Sequence, residues 1–489
     1  MAASSEKSTG HKTTKHSDRA LVIEARSIDY VPLSERHGRL LDQVTIWFPG
    51  GAQLLSLATG AIGIGLGLNL AWTLIGLLIG TILGTLPCAA HATQGPTLGL
   101  PQMVQSRPQF GRLGALFIWL MAIMVYWGYI VLGVNLLGAT AEHLQLASFT
   151  PSGIIVGFLC IVLAAFGYRW LHAAQRYTAI IMLVILAIFA LGIVFISGLP
   201  AEQIQLSGTF IFTPFLMVVV ASLAYQLTWA FFVSDYSRYM PADTSSKSII
   251  FCTASGLGVG VFSYMAVGAV GAALFPQQDI LTALHNSGDL IISGFGAFLL
   301  IGGAIGLLTL SAMCVYGGAL TLITAADSIT TLSLTRALRI KAVLAIGISA
   351  TIAGVLLPND FIETTFYTVL TVLAYLMGPW TSVNLVDYFI VRKGRYSVME
   401  IFNPNGMYGN WNWRGIMAYL IAFISMLPFM YLPFWQGPVA QYLDGIDFAF
   451  FVGIPVGAIA YWIFCRSLDL KAELALIASA DKNLESSTQ

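Results

Sequence analysis

Apolar residues run along this chain in long stretches that short polar segments interrupt. A helix needs about 20 apolar residues to cross the hydrocarbon core of a bilayer. By that measure the pattern predicts about twelve crossings. They fall at 44–68, 72–91, 113–139, 152–168, 177–198, 211–234, 249–274, 290–325, 341–357, 364–391, 415–434 and 447–465, numbered here as spans 1 to 12. Before them, residues 1–27 are polar and rich in Ser, Thr and Lys, with no short apolar region leading to a small-residue cleavage site. No signal peptide is expected there, and the segment is expected to be disordered. The chain ends in a short polar tail.

Charge fixes the expected orientation. All 23 Lys and Arg fall in alternate connections: the first tail, 92–112, 169–176, 235–248, 327–341, 391–414 and 466–489. The opposite connections carry acidic or neutral residues, among them Glu142, Glu202, Asp279, Asp289 and Asp444. Cytoplasmic loops hold the excess of basic residues. Both termini are therefore expected in the cytoplasm, in an inner or plasma membrane.

Composition agrees and excludes other classes. The chain is 57% hydrophobic and 9% charged, with zero net charge and a mean hydropathy of +0.80. A soluble domain carries about 25% charged residues. With the loops assigned, no basic face remains for nucleic acid, so the lipid bilayer is the expected macromolecular environment. The cysteines (Cys88, Cys160, Cys252, Cys314, Cys465) stand singly in apolar runs, which suggests neither a metal site nor a disulfide framework.

Two spans carry irregular features. Span 1 contains Trp47-Phe48-Pro49-Gly50-Gly51. Proline lacks a backbone donor and glycine loosens the chain. A broken helix at membrane depth is tolerated where it is buried in protein or lines a cavity; a simple proline kink near the membrane face reads the same way in sequence. Span 8 mixes Gly306 with Thr309 and Ser311, hydroxyls that also cap carbonyls within their own helix. Small residues at four-residue spacing, Gly76, Gly80 and Gly84, and Gly63 with Gly67, suit close helix packing.

The candidate chemistry is neutral. Asp42, Asp235, Asp327 and Asp387 all lie at cytoplasmic ends of spans, and none lies in mid-span, where a proton relay would need one. Tyr126-Trp127-Gly128-Tyr129 lies within span 3 and Tyr225-Gln226-Leu227-Thr228-Trp229 within span 6. Aromatic faces stack on planar rings, and an amide offers both a donor and an acceptor to a heterocycle edge. Interfacial belt residues are the alternative reading. Hydrolytic signatures, GxSxG and HExxH included, are absent, so no enzyme is expected.

The connections carry a further set of motifs. Val31-Pro32-x-x-Glu35-Arg36-His37-Gly38 leads into Ile46-Trp47-Phe48. Ser106-Arg107-x-x-Phe110-Gly111-x-x-Gly114-Ala115 opens span 3, and Ser234-Asp235-Tyr236-Ser237-Arg238-Tyr239 closes span 6. Val315-Tyr316-Gly317-Gly318 sits in span 8. Asp387-Tyr388-Phe389 with Arg392, Gly394 and Tyr396 follows span 10. In order and spacing, over about residues 28–396, this set resembles the nucleobase:cation symporter family 1, the purine–cytosine permease type.

That resemblance implies an all-α, leucine-transporter-like fold. Spans 1–5 (44–210) and 6–10 (211–396) would be inverted repeats, with spans 1 and 6 broken. Residues 1–43 and 467–489 would be cytoplasmic tails, and 397–466 would hold peripheral spans 11 and 12. It implies import of a neutral nucleobase or related heterocycle by alternating access, with Na⁺ or H⁺ as coupling ion and no other cofactor. The substrate would lie between spans 1, 3, 6 and 8. Trp47 and Gly50 would contribute from span 1, Trp127 or Tyr129 from span 3, and Tyr225, Gln226 and Trp229 from span 6. In span 8 the family's substrate-binding Asn position is Cys314, a weak donor and acceptor. The cation site would map to Thr45, Phe48, Ile305 and Thr309, with Leu308 where a second hydroxyl is usual. Asp235 and Arg238 would belong to a cytoplasmic gate. A specialised permease for a vitamin precursor, allantoin or hydantoin fits the same pattern. An amino-acid or polyamine permease, and a channel or sensor without transport, are the wider alternatives. No feature of the sequence sets an oligomeric state.

Overall fold

A computed structural model of the chain describes residues 28–208, 210–330, 332–358 and 361–484. The expectations for residues 1–27 lie outside the described residues. Among the described residues, nine helices are long and apolar enough to cross a bilayer unaided. They correspond to spans 2 to 10. The other three predicted spans are built from shorter pieces. Span 1 is two helices, Leu40–Gly51 and Leu54–Gly65, each about 18 Å long at 1.5 Å per residue. Span 11 is Trp413–Met426 and span 12 is Ala449–Cys465, with a small β-hairpin pairing Tyr431–Leu432 with Trp435–Gln436 between them.

Span 6 is interrupted as span 1 is. An α-helix over Phe212–Leu227 tightens into a 3-10 turn at Thr228–Phe231 and resumes over Val233–Ser237. Span 8 runs from Phe295 to Ile329, starting five residues later than the hydropathy pattern suggested. The residues before it form a separate short helix, Ile280–Asp289, which the Asp279 side chain caps by accepting from the Thr282 N–H at 3.0 Å.

The packing of the first ten spans repeats under exchange of span n with span n+5. Span 1 packs on span 7 as span 6 packs on span 2, and span 1 packs on span 5 as span 6 packs on span 10. Spans 3 and 9 contact as spans 8 and 4 do, while the 3–8 and 4–9 contacts map onto themselves. Equivalent spans are an odd number of crossings apart, so they run in opposite directions through the bilayer. This is a five-plus-five inverted repeat.

Glycine makes the two heaviest contacts possible. A methyl group at Gly60, Gly268 or Gly260 would lie 1.8 Å from Met265 O, 1.9 Å from Leu57 O or 2.3 Å from Phe48 O, so spans 1 and 7 meet backbone to backbone. At Gly80 it would lie 2.2 Å from Val219 O, and at Gly84 2.6 Å from Leu223 O, which joins spans 2 and 6 in the same way. The Gly76/Gly80/Gly84 stripe is therefore a packing face. Gly67 is not part of one. It turns the chain at φ +88° with open space around it.

Candidate functional site

The break in span 1 falls at Ala52–Gln53, after the Trp-Phe-Pro-Gly-Gly run. Pro49 is accommodated inside the first half-helix, where its missing N–H leaves the Thr45 carbonyl without its intrahelical donor. Gln53, fully buried, starts the second half. Its Oε1 accepts from the Leu55 N–H at 2.6 Å, and its Nε2 donates to the Tyr225 hydroxyl of span 6. Ser56 Oγ bonds both Gly51 O, at 2.5 Å, and Tyr225 Oη, at 2.9 Å. The two helix breaks are thus pinned to one another through a single phenol oxygen.

Aromatic rings gather around this pin. Trp229 stands edge-on to Trp47 at 6.0 Å and tilts against Phe232 at 5.5 Å and Tyr225 at 6.2 Å. The Cβ position of Gly50 lies 3.4 Å from the Trp229 ring, so the span 1 backbone packs directly against the indole. From span 3, Tyr129 shares a 2.7 Å hydrogen bond with Thr228 Oγ1 and sets its ring 6.4 Å from that of Tyr225. Val125, Tyr126, Tyr129, Thr228, Trp229, Phe232, Leu310 and Cys314 enclose a cavity of about 10 Å³. Ligand pockets are typically hundreds of Å³. The rings therefore lie closed on one another, and a heterocycle enters only if they separate.

The sequence-derived site residues divide. Trp47, Gly50, Tyr129, Tyr225, Trp229 and Cys314 come together here. Trp127 does not. It is 36% exposed on the outer face of span 3 and donates to Ser349 Oγ of span 9 at 3.2 Å. Residues two apart on a helix point about 200° apart, so only one of Trp127 and Tyr129 can face the core. Gln226 is buried, but its Cβ lies against Gly84 of span 2, and neither amide atom has a hydrogen-bond partner. Its position continues the Ser222 face of span 6, whose hydroxyl bonds Leu77 O of span 2 at 2.9 Å. The amide at the break is that of Gln53, a lone polar residue after Gly50-Gly51-Ala52.

A second buried amide, Gln175, also escaped the sequence reading, because Arg169 and Arg176 marked that stretch as a loop. The helix of span 5 begins at Tyr168 and carries Gln175 inward. Its Oε1 accepts from Thr309 Oγ1 at 3.2 Å, and its Nε2 lies 2.8 Å from Met313 Sδ and 4.0 Å from the methyl position of Gly50. Around the expected cation site, the Phe48 carbonyl takes the Ala52 N–H at 2.8 Å and faces Gly260 of span 7. The carbonyl facing span 8 is that of Ala52, which lies 2.5 Å from the methyl position of Gly306. Ile305 and Leu308 line an outer groove with Leu137 and Val156 of spans 3 and 4, whereas Thr309 points inward. Thr45 lies farther down the first half-helix, where its hydroxyl donates to Asp42 O at 3.3 Å.

Toward the basic side the contacts become polar and tight. Asp235 Oδ1 accepts from the Gln102 N–H at 2.8 Å, and Arg238 donates to the Tyr316 hydroxyl of span 8 at 3.2 Å. Both are buried, so the charges at the end of span 6 lie within the protein. Asp387, fully buried, accepts from Arg392 at 2.5 Å, Gln109 at 2.6 Å, Tyr396 at 2.9 Å and Tyr461 at 2.9 Å. Arg107 pairs with Asp327 at 3.0 Å, tying the turn before span 3 to the end of span 8. The recognised loop motifs supply these closures.

Two discontinuous helices meeting at a buried aromatic site inside an inverted repeat define a multi-pass membrane transporter, not an enzyme. Sequence comparison gives the family. The model for permeases of cytosine/purines, uracil, thiamine and allantoin matches residues 30–453, and the chain belongs to that family. It is 32% identical over 453 residues to the putative purine-cytosine permease YxlA of Bacillus subtilis, covering 91% of this chain and 96% of that one. It is 25% identical to the purine-cytosine permease fcyB of Emericella nidulans, covering 92% and 90%. Among solved structures, the closed, bromovinylhydantoin-bound form of Mhp1, a nucleobase-cation-symport-1 family transporter, superposes with a TM-score of 0.73. That match covers 94% of this chain and 98% of Mhp1 at 15% identity, and it speaks for the fold.

Proposed function

We propose that this transporter imports a neutral planar heterocycle, a nucleobase or close relative, across the cell membrane by alternating access, with both termini cytoplasmic. The observation that carries the reading is the junction of the two helix breaks, where the Gln53 amide and the Tyr225 hydroxyl meet among the rings of Tyr129, Trp229 and Trp47. Trp229 and Tyr129 would stack on the ring, and Gln53 would read its edge. Stacking of this kind is worth roughly 0.5–1.5 kcal/mol per aromatic pair. Residues 44–210 and 211–396 would act as the two halves of the cycle, and Asp235 and Arg238 would close its cytoplasmic side.

Cation coupling is part of the proposal. The Ala52 carbonyl, the Thr309 hydroxyl and the Gln175 amide oxygen are hard oxygen donors near the span 1 break, a set suited to Na⁺. Uptake of labelled cytosine, adenine, hypoxanthine, uracil, allantoin, hydantoin and pyridine vitamins into proteoliposomes tests the substrate class; accumulation of none of them would sink it. Replacing Na⁺ by choline at fixed pH assigns the cation. Flux that ignores the imposed gradient would identify a channel instead.

A further inference from the structure

Span 12 ends at Cys465, and the chain then turns through 84° into the helix Leu470–Ala480. Side chains mark a membrane boundary at this turn. Trp462 is 43% exposed with the Arg466 guanidinium 4.0 Å from its ring centroid, and Trp413 is 51% exposed with Arg414 at 5.3 Å. Exposed indoles topped by basic side chains belong at the headgroup level. A helix set nearly perpendicular to a span at that level runs along the surface.

One side of this helix is fastened to the protein. Glu473 takes both arms of Arg392 at 2.9 Å, and just beyond the helix Asp481 accepts from Ser397 Oγ at 2.7 Å and from the N–H groups of Val398 and Met399. The opposite side is exposed and mostly small, with Ala472, Ala475, Leu476 and Ala478 beside Lys471 and Ser479. Between the helix and residues 391–395 lies a cavity of about 180 Å³, lined by Leu470, Leu474 and Ile477, by Lys393 and Arg395, and by the paired Arg392 and Glu473. Lys471 is exposed at the start of the helix. With Glu473 neutralised by Arg392, apolar side chains next to Lys393 and Arg395 suit a phospholipid with an anionic headgroup better than a soluble anion.

We propose that Leu470–Ala480 is an interfacial helix seated on the leaflet at the basic face of the transporter, with Lys393, Arg395 and Lys471 holding anionic lipid headgroups. The idea rests on the bilayer position of span 12 and is independent of which heterocycle is carried. The test uses the full chain with Cys252→Ser and Leu476→Cys, labelled with an environment-sensitive fluorophore and placed in nanodiscs. Brominated phosphatidylglycerol should quench the label more strongly than brominated phosphatidylcholine. Each of Lys393→Gln, Arg395→Gln and Lys471→Gln should lower that preference about five-fold, the value of one basic residue near an anionic surface. Accessibility of the label to aqueous iodide with no quenching by either brominated lipid would overturn the proposal. Self-quenching between labelled copies would point to a second chain as the cover and overturn it as well. If inorganic phosphate abolishes the lipid preference at low concentration, the basic rim is a soluble-anion site and the lipid assignment fails.

Discussion

Replacing Tyr225 by Phe removes one oxygen and leaves the ring in place. In the closed protein that oxygen accepts from Gln53 Nε2 and partners Ser56 Oγ. Ser56 keeps its 2.5 Å bond to Gly51 O, and Gln53 Oε1 keeps the Leu55 N–H, so one buried donor, Gln53 Nε2, loses its partner. An orphaned buried donor costs about 1–3 kcal/mol. The substrate-free variant should therefore melt below the parent. If a heterocycle takes the Gln53 amide as its edge contact, it must displace Tyr225 in the parent but meets a free donor in the variant. Binding should then tighten by up to the same energy, roughly 5- to 150-fold at 1.36 kcal/mol per decade. The assay is thermal unfolding of the purified protein by intrinsic fluorescence, with and without each heterocycle that the uptake panel identifies. Tyr225→Phe should show a lower melting temperature alone and a larger upward shift with ligand. A lowered melting temperature with an unchanged or smaller ligand shift would refute Gln53 as the edge reader.

Three further outcomes are expected. Trp127→Ala should leave the uptake KM within about two-fold of the parent, since the side chain lies on the outer face of span 3, whereas Trp229→Phe should raise KM several-fold; the reverse order in radiolabel uptake would move the site. Thr309→Val and Gln175→Leu should each raise the cation concentration needed for half-maximal uptake more than they raise the substrate KM; equal shifts in both would remove them from a cation site. Asp447 sits two residues ahead of the span 12 helix, Ala449–Cys465, and burial raises its carboxyl above the usual range despite hydrogen bonds from Tyr375 and from the Tyr431 and Ala449 N–H groups. With the folded value above the unfolded one, the folded state binds the proton more tightly. Its contribution to stability is full below the ordinary carboxylate range and is lost as pH rises through the raised value. Asp447→Asn should flatten that part of the melting-temperature profile; an unaltered slope would contradict the assignment.

The spans were legible because length and hydropathy alone decide whether a helix can cross, and spans 2 to 10 needed nothing more. The broken spans were less so. Pro49 was the strongest local signal in span 1, yet a proline in the last turn of a helix removes a bond without ending the helix, and the backbone departs only at Ala52. Span 6 changes conformation at Thr228–Phe231 with neither proline nor glycine in the segment, so tertiary contacts hold the irregular turn. Side-chain direction was the other loss. Hydropathy does not separate Trp127 from Tyr129 when one faces outward and the other the core. Gln226 looked like the site amide because it neighbours Tyr225, but the helix turns it toward Gly84. Gln175 was hidden by the arginines on either side of it, which read as a loop although they extend a helix.

The bare-backbone seams between spans 1 and 7 and between spans 2 and 6 have a mechanical consequence. Where carbonyls lie against glycine Cα atoms there is no layer of side chains to shear, and a sliding step would drive atoms through one another within an ångström or two. Each pair therefore behaves as a stiff beam. Compliance is left to contacts filled by side chains that can change rotamer, such as those Tyr129 of span 3 makes with the break of span 6. The aromatic cluster occupies that joint. In this molecule the place that gives and the place that recognises are the same few rings, so whatever parts them also meets the cargo.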